Sequence, residues 1–187
     1  MKSIALALSV VALFSATAYA DDPVINRAPD SADRIAKLTR VAIIPIDPCP
    51  AALECGAVER NLFLEFRNAW TSHVVGATQT RQKMFELGIT SFDKPHQQQL
   101  ATALEVNGFL VPSIPYLGSK DQPAALIWPA GHAPEERVEL TLLALDSDIP
   151  IFRGTNQGQG LTTTSPEDLA SRLFKGIIKQ TLPKPKR

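Results

Sequence analysis

The residues that could do chemistry in this chain are sparse, and none of them forms a set. Histidines stand at His73, His96 and His132, each alone in its neighbourhood. Zinc chemistry needs several ligands at matched spacing, such as H-E-x-x-H on one helix face, and no such pairing occurs. Isolated imidazoles of this kind are expected to be solvated or held by structural hydrogen bonds. Hydroxyl residues gather at Thr155 and from Thr162 to Ser165, without the G-x-S-x-G elbow that exposes a nucleophile. The run Gly154-Thr155-Asn156-Gln157-Gly158-Gln159-Gly160 is glycine-rich. It lacks both the Gly-Lys-Ser/Thr ending of a phosphate loop and the strand-to-helix setting of a dinucleotide fingerprint, so it reads as a loop or a strand end. Glu135-Glu136 and the pair Asp146, Asp148 are acids that a glycosidase or a cation site could use, although adjacent acids in loops are more simply solvated. The expectation is no catalytic residue, no metal site and no cofactor.

Three features point to structure or binding instead. Cys49 and Cys55 lie six positions apart. A redox pair of the thioredoxin kind would have two residues between its cysteines, and a metal pair would need further ligands nearby. A local disulfide is the expectation, closing a small loop that stabilises by about 2 kcal/mol. Tyr116 and Trp128 flank a proline-rich stretch, residues 120–134, and aromatics in such loops can anchor a partner. The other reading of Trp128 is a plug at the sheet edge. The carboxy-terminal end concentrates Lys175, Lys179, Lys184, Lys186 and Arg187. These cations could touch anionic lipid headgroups or cell-wall polymers, or simply favour a helix dipole from solvent.

Composition narrows the class. The chain has 187 residues, 44% of them hydrophobic, with 19 Lys+Arg against 19 Asp+Glu. That length suits one domain with a real core and excludes a wholly disordered chain or a disulfide-dense miniprotein. Balanced charge argues against a nucleic-acid partner. Met1-Lys2-Ser3, an apolar run from Ile4 to Ala16 and Ala18-Tyr19-Ala20 follow the pattern of a secretory signal peptide cut after Ala20. The run is too short to span a bilayer. No cysteine follows it directly, so lipidation is not expected. The expected location is the periplasm, where a disulfide can persist.

The elements that must position these residues can be read along the chain. Residues 21–37 are polar with two prolines and read as a flexible amino-terminal arm. The run from Arg40 to Ile46 is β-branched and apolar, as in a buried central strand. Apolar residues at 58, 62, 63, 66, 69 and 70 mark one helix face. A second strand at 73–76 and a short helix over 78–87, closed by Gly88, come next. Asp93 and Pro95 open a helix that Asn107-Gly108 should stop. Residues 109–116 read as a strand whose prolines imply an edge or a bulge. The strand at 137–145 should turn at Asp146-Ser147-Asp148 into a hairpin partner over 149–155. Residues 155–164 read as a polar loop, and Ser165-Pro166-Glu167-Asp168 starts the last helix. The predicted class is α/β: a mixed sheet, in two layers or three, with helices packed on it and a carboxy-terminal hairpin and helix. The predicted organisation is a leader at 1–20, the arm at 21–37, one domain at 38–182 and a basic tail at 183–187.

The strand Arg40-Val41-Ala42-Ile43-Ile44-Pro45-Ile46 resembles the opening strand of a group of periplasmic domains. The group includes the curli secretion lipoprotein, the amino-terminal domain of TolB, the lipoprotein activators of penicillin-binding proteins and the Pel polysaccharide secretion lipoprotein. Leu100-Ala101-Thr102-Ala103-Leu104, a short turn and the strand Phe109 to Ile114 follow the same pattern, as does the strand from Val138 to Asp146 with its partner Ile151-Phe152-Arg153-Gly154. The resemblance covers about residues 38 to 182. The chain departs from it at Glu105-Val106-Asn107-Gly108, where the group has a Gly-Ala-Asp turn. It also lacks a lipobox and any room for the membrane hairpins of the curli protein. The resemblance implies a periplasmic assembly module and carries over no catalytic residue.

Two functional expectations result. The first is a non-catalytic accessory module that assembles, secretes or regulates an envelope machine through protein partners, self-association included. The second is an envelope hydrolase or small-ligand carrier whose site is built from scattered residues. An exposed sheet edge or apolar patch favours the first. An apolar cleft with convergent polar groups favours the second.

Overall fold

The computed structural model describes residues 19–70, 73–122, 131–161 and 163–182. Its organising feature is a strand buried on both faces. β1 (Tyr19–Ala20), β2 (Val24–Arg27) and helix α1 (Ser31–Lys37) precede that strand, β3 (Arg40–Ile43). In β3 and just beyond it, Val41 and Ile43 point into one core while Ala42 and Ile44 point into another. Period-two alternation with apolar residues on both sides gives the continuous apolar run seen in the sequence.

Each core is closed by helices. α2 (Cys55–Ala69) and, at the end of the chain, a 16-residue helix (Pro166–Thr181) cover the first face. Leu62 and Phe66 of α2 meet Leu169, Leu173 and Ile177 there, over Val138, Leu140 and Leu142. β4 (His73–Val75), α3 (Ala77–Glu86) and α4 (Lys94–Leu104) follow α2, and Leu100, Ala101 and Leu104 pack on Val75 and Phe109 across the second face. Local signals set the helix ends. Asp93 accepts from the His96 backbone N–H at 3.2 Å, and Pro95 occupies the first turn, as expected. α4 stops two residues earlier than predicted, because Glu105 turns left-handed at φ +54° and closes the helix. Asn107 has a different task. Its side chain accepts from the N–H groups of Thr39 and Arg40 and donates to the Lys37 carbonyl, fastening α1 to β3.

The long hairpin comes next: β5 (Gly108–Gln122) and β6 (Gly131–Ala144), then β7 (Phe152–Gln159) and α5 (Pro166–Thr181). The sheet order is β1-β7-β6-β5-β3-β4, with β2 also beside β7. β3 runs parallel to β4 and β5, and all other pairs are antiparallel. The predicted mixed sheet, packed helices, carboxy-terminal hairpin and final helix are all present.

Four expectations need correction. Residues 21–37 are not a loose arm: Val24–Arg27 pairs with β7, and Ser31–Lys37 is helical. Backbone pairing holds β2 although its side chains are mostly exposed, a signal that polarity hides. Residues 109–116 are not an edge strand at their start. β3 pairs with β5 only through Leu110, so Pro112 and Pro115 lie past the flanked part, and the register shifts between Ser113 and Tyr116. The bulge was expected; the central position was not. Residues 155–159 are strand rather than loop. The inward positions of β7 include Gly154, Asn156 and Gly158, and at Gly154 α5 comes so close that a Cβ would lie 2.4 Å from Ile177 Cγ2. Finally, Glu135 and Glu136 lie in β6, not in a loop, and Glu136 is fully buried.

Candidate functional site

The bulge in β5 does more than absorb prolines. Up to Ile114, even-numbered residues of β5 face the α2/α5 core, as Leu110 and Ile114 do, and odd-numbered ones such as Phe109 face the α3/α4 core. Continued regularly, this alternation would bury Tyr116. The register shift between Ser113 and Tyr116 reverses it. Leu117 then packs against the α2/α5 core, and Tyr116 emerges opposite Arg137 on the other face, 47% exposed. Its ring lies across Gly118: a Cβ there would stand 2.4 Å from the Tyr116 hydroxyl.

Tyr116 belongs to an open polar cleft of about 390 Å³ lined by Asp21, Glu135, Arg137, Gln157 and Gln159 beside it. Gln157 donates to the Asp21 carboxylate at 2.7 Å, and the Asp21 N–H donates to the Gln157 carbonyl at 2.9 Å. Further along the same face Arg153 pairs with Glu139 at 2.7 Å. An aromatic ring, an arginine fork and two amides can hold a polar partner by stacking and hydrogen bonds. No nucleophile–base pair stands among them. Sequence reasoning found Tyr116 but missed Asp21, Arg137 and Gln157, which are adjacent only through strand register. Trp128 lies outside the described residues.

The other candidates resolve plainly. Cys49 and Cys55 are joined, with Cα atoms 6.0 Å apart. His73 is exposed, and His96 Nδ1 sits 2.8 Å from its own cap, Asp93. Asp148 pairs with Lys94 at 2.6 Å rather than with Asp146. Among the described residues no group of three His, Cys, Asp or Glu could hold a metal ion. Lys175 is matched by Glu65, in a groove between α2 and α5 where Asn61 donates to Ser171. The basic tail, residues 183–187, lies outside the described residues, as does the expected leader apart from Tyr19 and Ala20. No helix among the described residues is long and apolar enough to cross a membrane.

One carboxyl is unusual. Glu136 shares the inner face of β6 with Val138 and Leu140, and among the described residues neither of its oxygens has a hydrogen-bond partner. Burial, and then the nearby charge of Glu167, pushes its pKa up to about 8. Glu167 is held below the usual carboxylate range, first by the backbone N–H of Glu54. Two carboxyls pulled apart in this way could serve acid–base chemistry. Glu136, however, has no exposed surface through which to reach a substrate.

No family model matches the chain, and no curated protein matches it. Solved structures do. The PelC dodecamer from Paraburkholderia phytofirmans superposes with a TM-score of 0.58 at 11% identity, over 89% of this chain and 99% of that one. Lipoprotein GNA1162 from Neisseria meningitidis gives a TM-score of 0.52 at 12% identity, over 76% of this chain and 96% of that one. At such identities the likeness is one of fold. PelC, the Pel polysaccharide secretion lipoprotein, is a member of the group that the strand pattern resembled.

Proposed function

We propose that the chain is a non-catalytic accessory module of the cell envelope, exported to the periplasm and cut after Ala20, that works through protein–protein contacts in assembly, secretion or regulation of an envelope machine. The observation that carries this reading is the open sheet. Its two flanks, β4 on one side and, once the cut after Ala20 has removed β1, β2 with the bared end of β7 on the other, have no further strand beside them among the described residues. Val24 on β2 is 65% exposed. Unpaired edges of this kind accept partners or further copies of the same chain. The scatter of the titratable residues is consistent with this reading: among the described residues no nucleophile, base and orienter converge. One likened structure is a lipoprotein and another a dodecamer, which makes self-association a natural first question here.

The test is capture from envelope extracts by the tagged mature protein, with mass spectrometry, alongside light scattering of the pure protein. A specific envelope partner or a defined oligomer supports the reading. Hydrolysis of peptidoglycan, an ester or a phosphate ester by the pure protein overturns it. The alternative, a small-ligand carrier, draws on the cleft beside Tyr116, and a saturable ligand there with no protein partner would favour it.

A further inference from the structure

Glu136 sits where several pieces of the fold close on each other. The loop after β7 folds over the start of β6, with Gly160 donating to the Pro134 carbonyl at 2.8 Å and Leu161 to the Thr164 hydroxyl at 3.0 Å. A Cβ on Gly160 would lie 2.9 Å from both Pro134 and Thr164, so the closure is tight. The first turn of α5 is clamped to the start of α2, because the Glu54 N–H donates to the Glu167 carboxylate at 2.9 Å. Beneath this closure lies the Glu136 carboxyl, with both oxygens buried and unpartnered.

Among the described residues no polar group on the surrounding elements hydrogen-bonds the Glu136 oxygens, and the charge that bears on them, Glu167, is a like charge. β5 places Leu117 opposite it, and β7 places Gly158. α5 contributes Glu167, while Arg172 on that helix is turned to Thr164 and to the Asp168 carbonyl. At the start of α2, the Glu54 carboxylate faces Arg60 at 3.8 Å. Glu135 and Arg137, the neighbours in β6, point to the opposite face by strand alternation and line the open cleft, which Glu136 and Gly158 also border. A buried polar group without a partner is costly when neutral and far more so when ionised.

We propose that Glu136 is the pin of a pH-sensitive latch: while its carboxyl is neutral the first turn of α5, with Gly160, Leu161 and Thr164 ahead of it, lies closed on β6, and when it ionises this cover is driven off the sheet. Two forces then act together. The carboxylate needs water that the closed end excludes, and Glu167 repels it from the helix that forms the cover. Opening would bare the inner face at Leu117, Glu136 and Gly158 beside the cleft that holds Tyr116, so the device would couple pH to the surface offered to a partner.

Amide hydrogen exchange on the full mature chain between pH 6.5 and 9 tests this, with rates corrected for intrinsic base catalysis. The amides of 134–138 and 163–170 should lose protection on the order of tenfold or more at the upper pH, as an opening step of local unfolding does, and Glu136→Gln should abolish the change. Equal pH dependence in the two chains would overturn the latch. Carbon-13 titration of the Glu136 carboxyl in the unaltered chain decides the matter if the variant does not fold. A midpoint near 8 supports the proposal, and one near that of an ordinary glutamate overturns it.

Discussion

At the scale of single residues, the chain separates groups whose type matters from groups whose address matters. Tyr116 is half-exposed and makes no core contact, so Tyr116→Ala should shift stability by less than about 0.5 kcal/mol in a thermal melt. If the cleft is where a partner docks, the same change should weaken capture by ~2 kcal/mol, roughly 30-fold. Loss of capture together with loss of folding would return Tyr116 to a structural role. Glu136 is the opposite case. Its folded pKa lies near 8, above that of a free glutamate. Between those two values the folded state holds a proton that the unfolded state has released, so stability must fall as pH rises through that window and level off above it. Denaturant midpoints should therefore decline from pH 5 to 8, and Glu136→Gln should flatten that slope and be the more stable chain at pH 8. Nothing in the pair Glu135-Glu136 taken as letters tells which of the two is sealed in. Strand parity decides it, and parity is known only once the strand is.

At the scale of elements, the informative positions are those where two elements approach too closely for an ordinary side chain. Gly154 in β7 faces Ile177 of α5 and Ile25 of β2, and a Cβ there would come within 2.4 Å and 2.9 Å of them. Gly154→Val should destabilise by about 1–3 kcal/mol through overpacking, read from chemical denaturation. Gly118→Ala, whose Cβ would meet the movable Tyr116 ring first, should cost less. The β5 bulge offers a sharper test of register. Deleting Pro115 should remove the extra residue, put Tyr116 directly after inward-facing Ile114 and so keep it outward opposite Arg137 with Leu117 inward. Tyrosine fluorescence quenching by an added solute should stay as in the unaltered chain, and a drop would count against this register. α2, α4 and α5 were legible because each carries a one-sided apolar face, and α4 and α5 carry side-chain caps as well, whereas α1 was not. β7 was not, since its inward side is filled by glycine and asparagine to admit a helix that lies next to it only in the folded chain.

At the scale of the whole molecule, the joined cysteines tether the loop before α2, and the loop they close is short. Reducing the bond should lower stability by about 2 kcal/mol without unfolding the chain, since the cores on both sheet faces remain. Protein taken from the periplasm should resist alkylation until reduced, and its mass should then rise by two labels. Free thiols in the exported protein would count against both the bond and the compartment. A sheet with two open flanks should also show concentration-dependent association by light scattering. A charged substitution on the exposed edge, Val24→Lys, should suppress association if β2 is the contact.

The sequence by itself determined the local structure and the class. Apolar spacing marked the helix faces, Asp93 and Ser165 capped their helices as read, and the strand at residue 40 declared its double burial by being apolar on both parities. These are properties of a few consecutive residues, so they survive without knowledge of neighbours. The tertiary structure alone decided which polar residues share a surface. Asp21, Tyr116, Arg137 and Gln157 come from four distant parts of the chain and meet because β5, β6 and β7 pair in one register, shifted by one bulge. It also decided that Glu136 lies in the core while its neighbour Glu135 lines the open cleft. Long-range register is a property of pairs of segments, and a single strand's letters do not contain it.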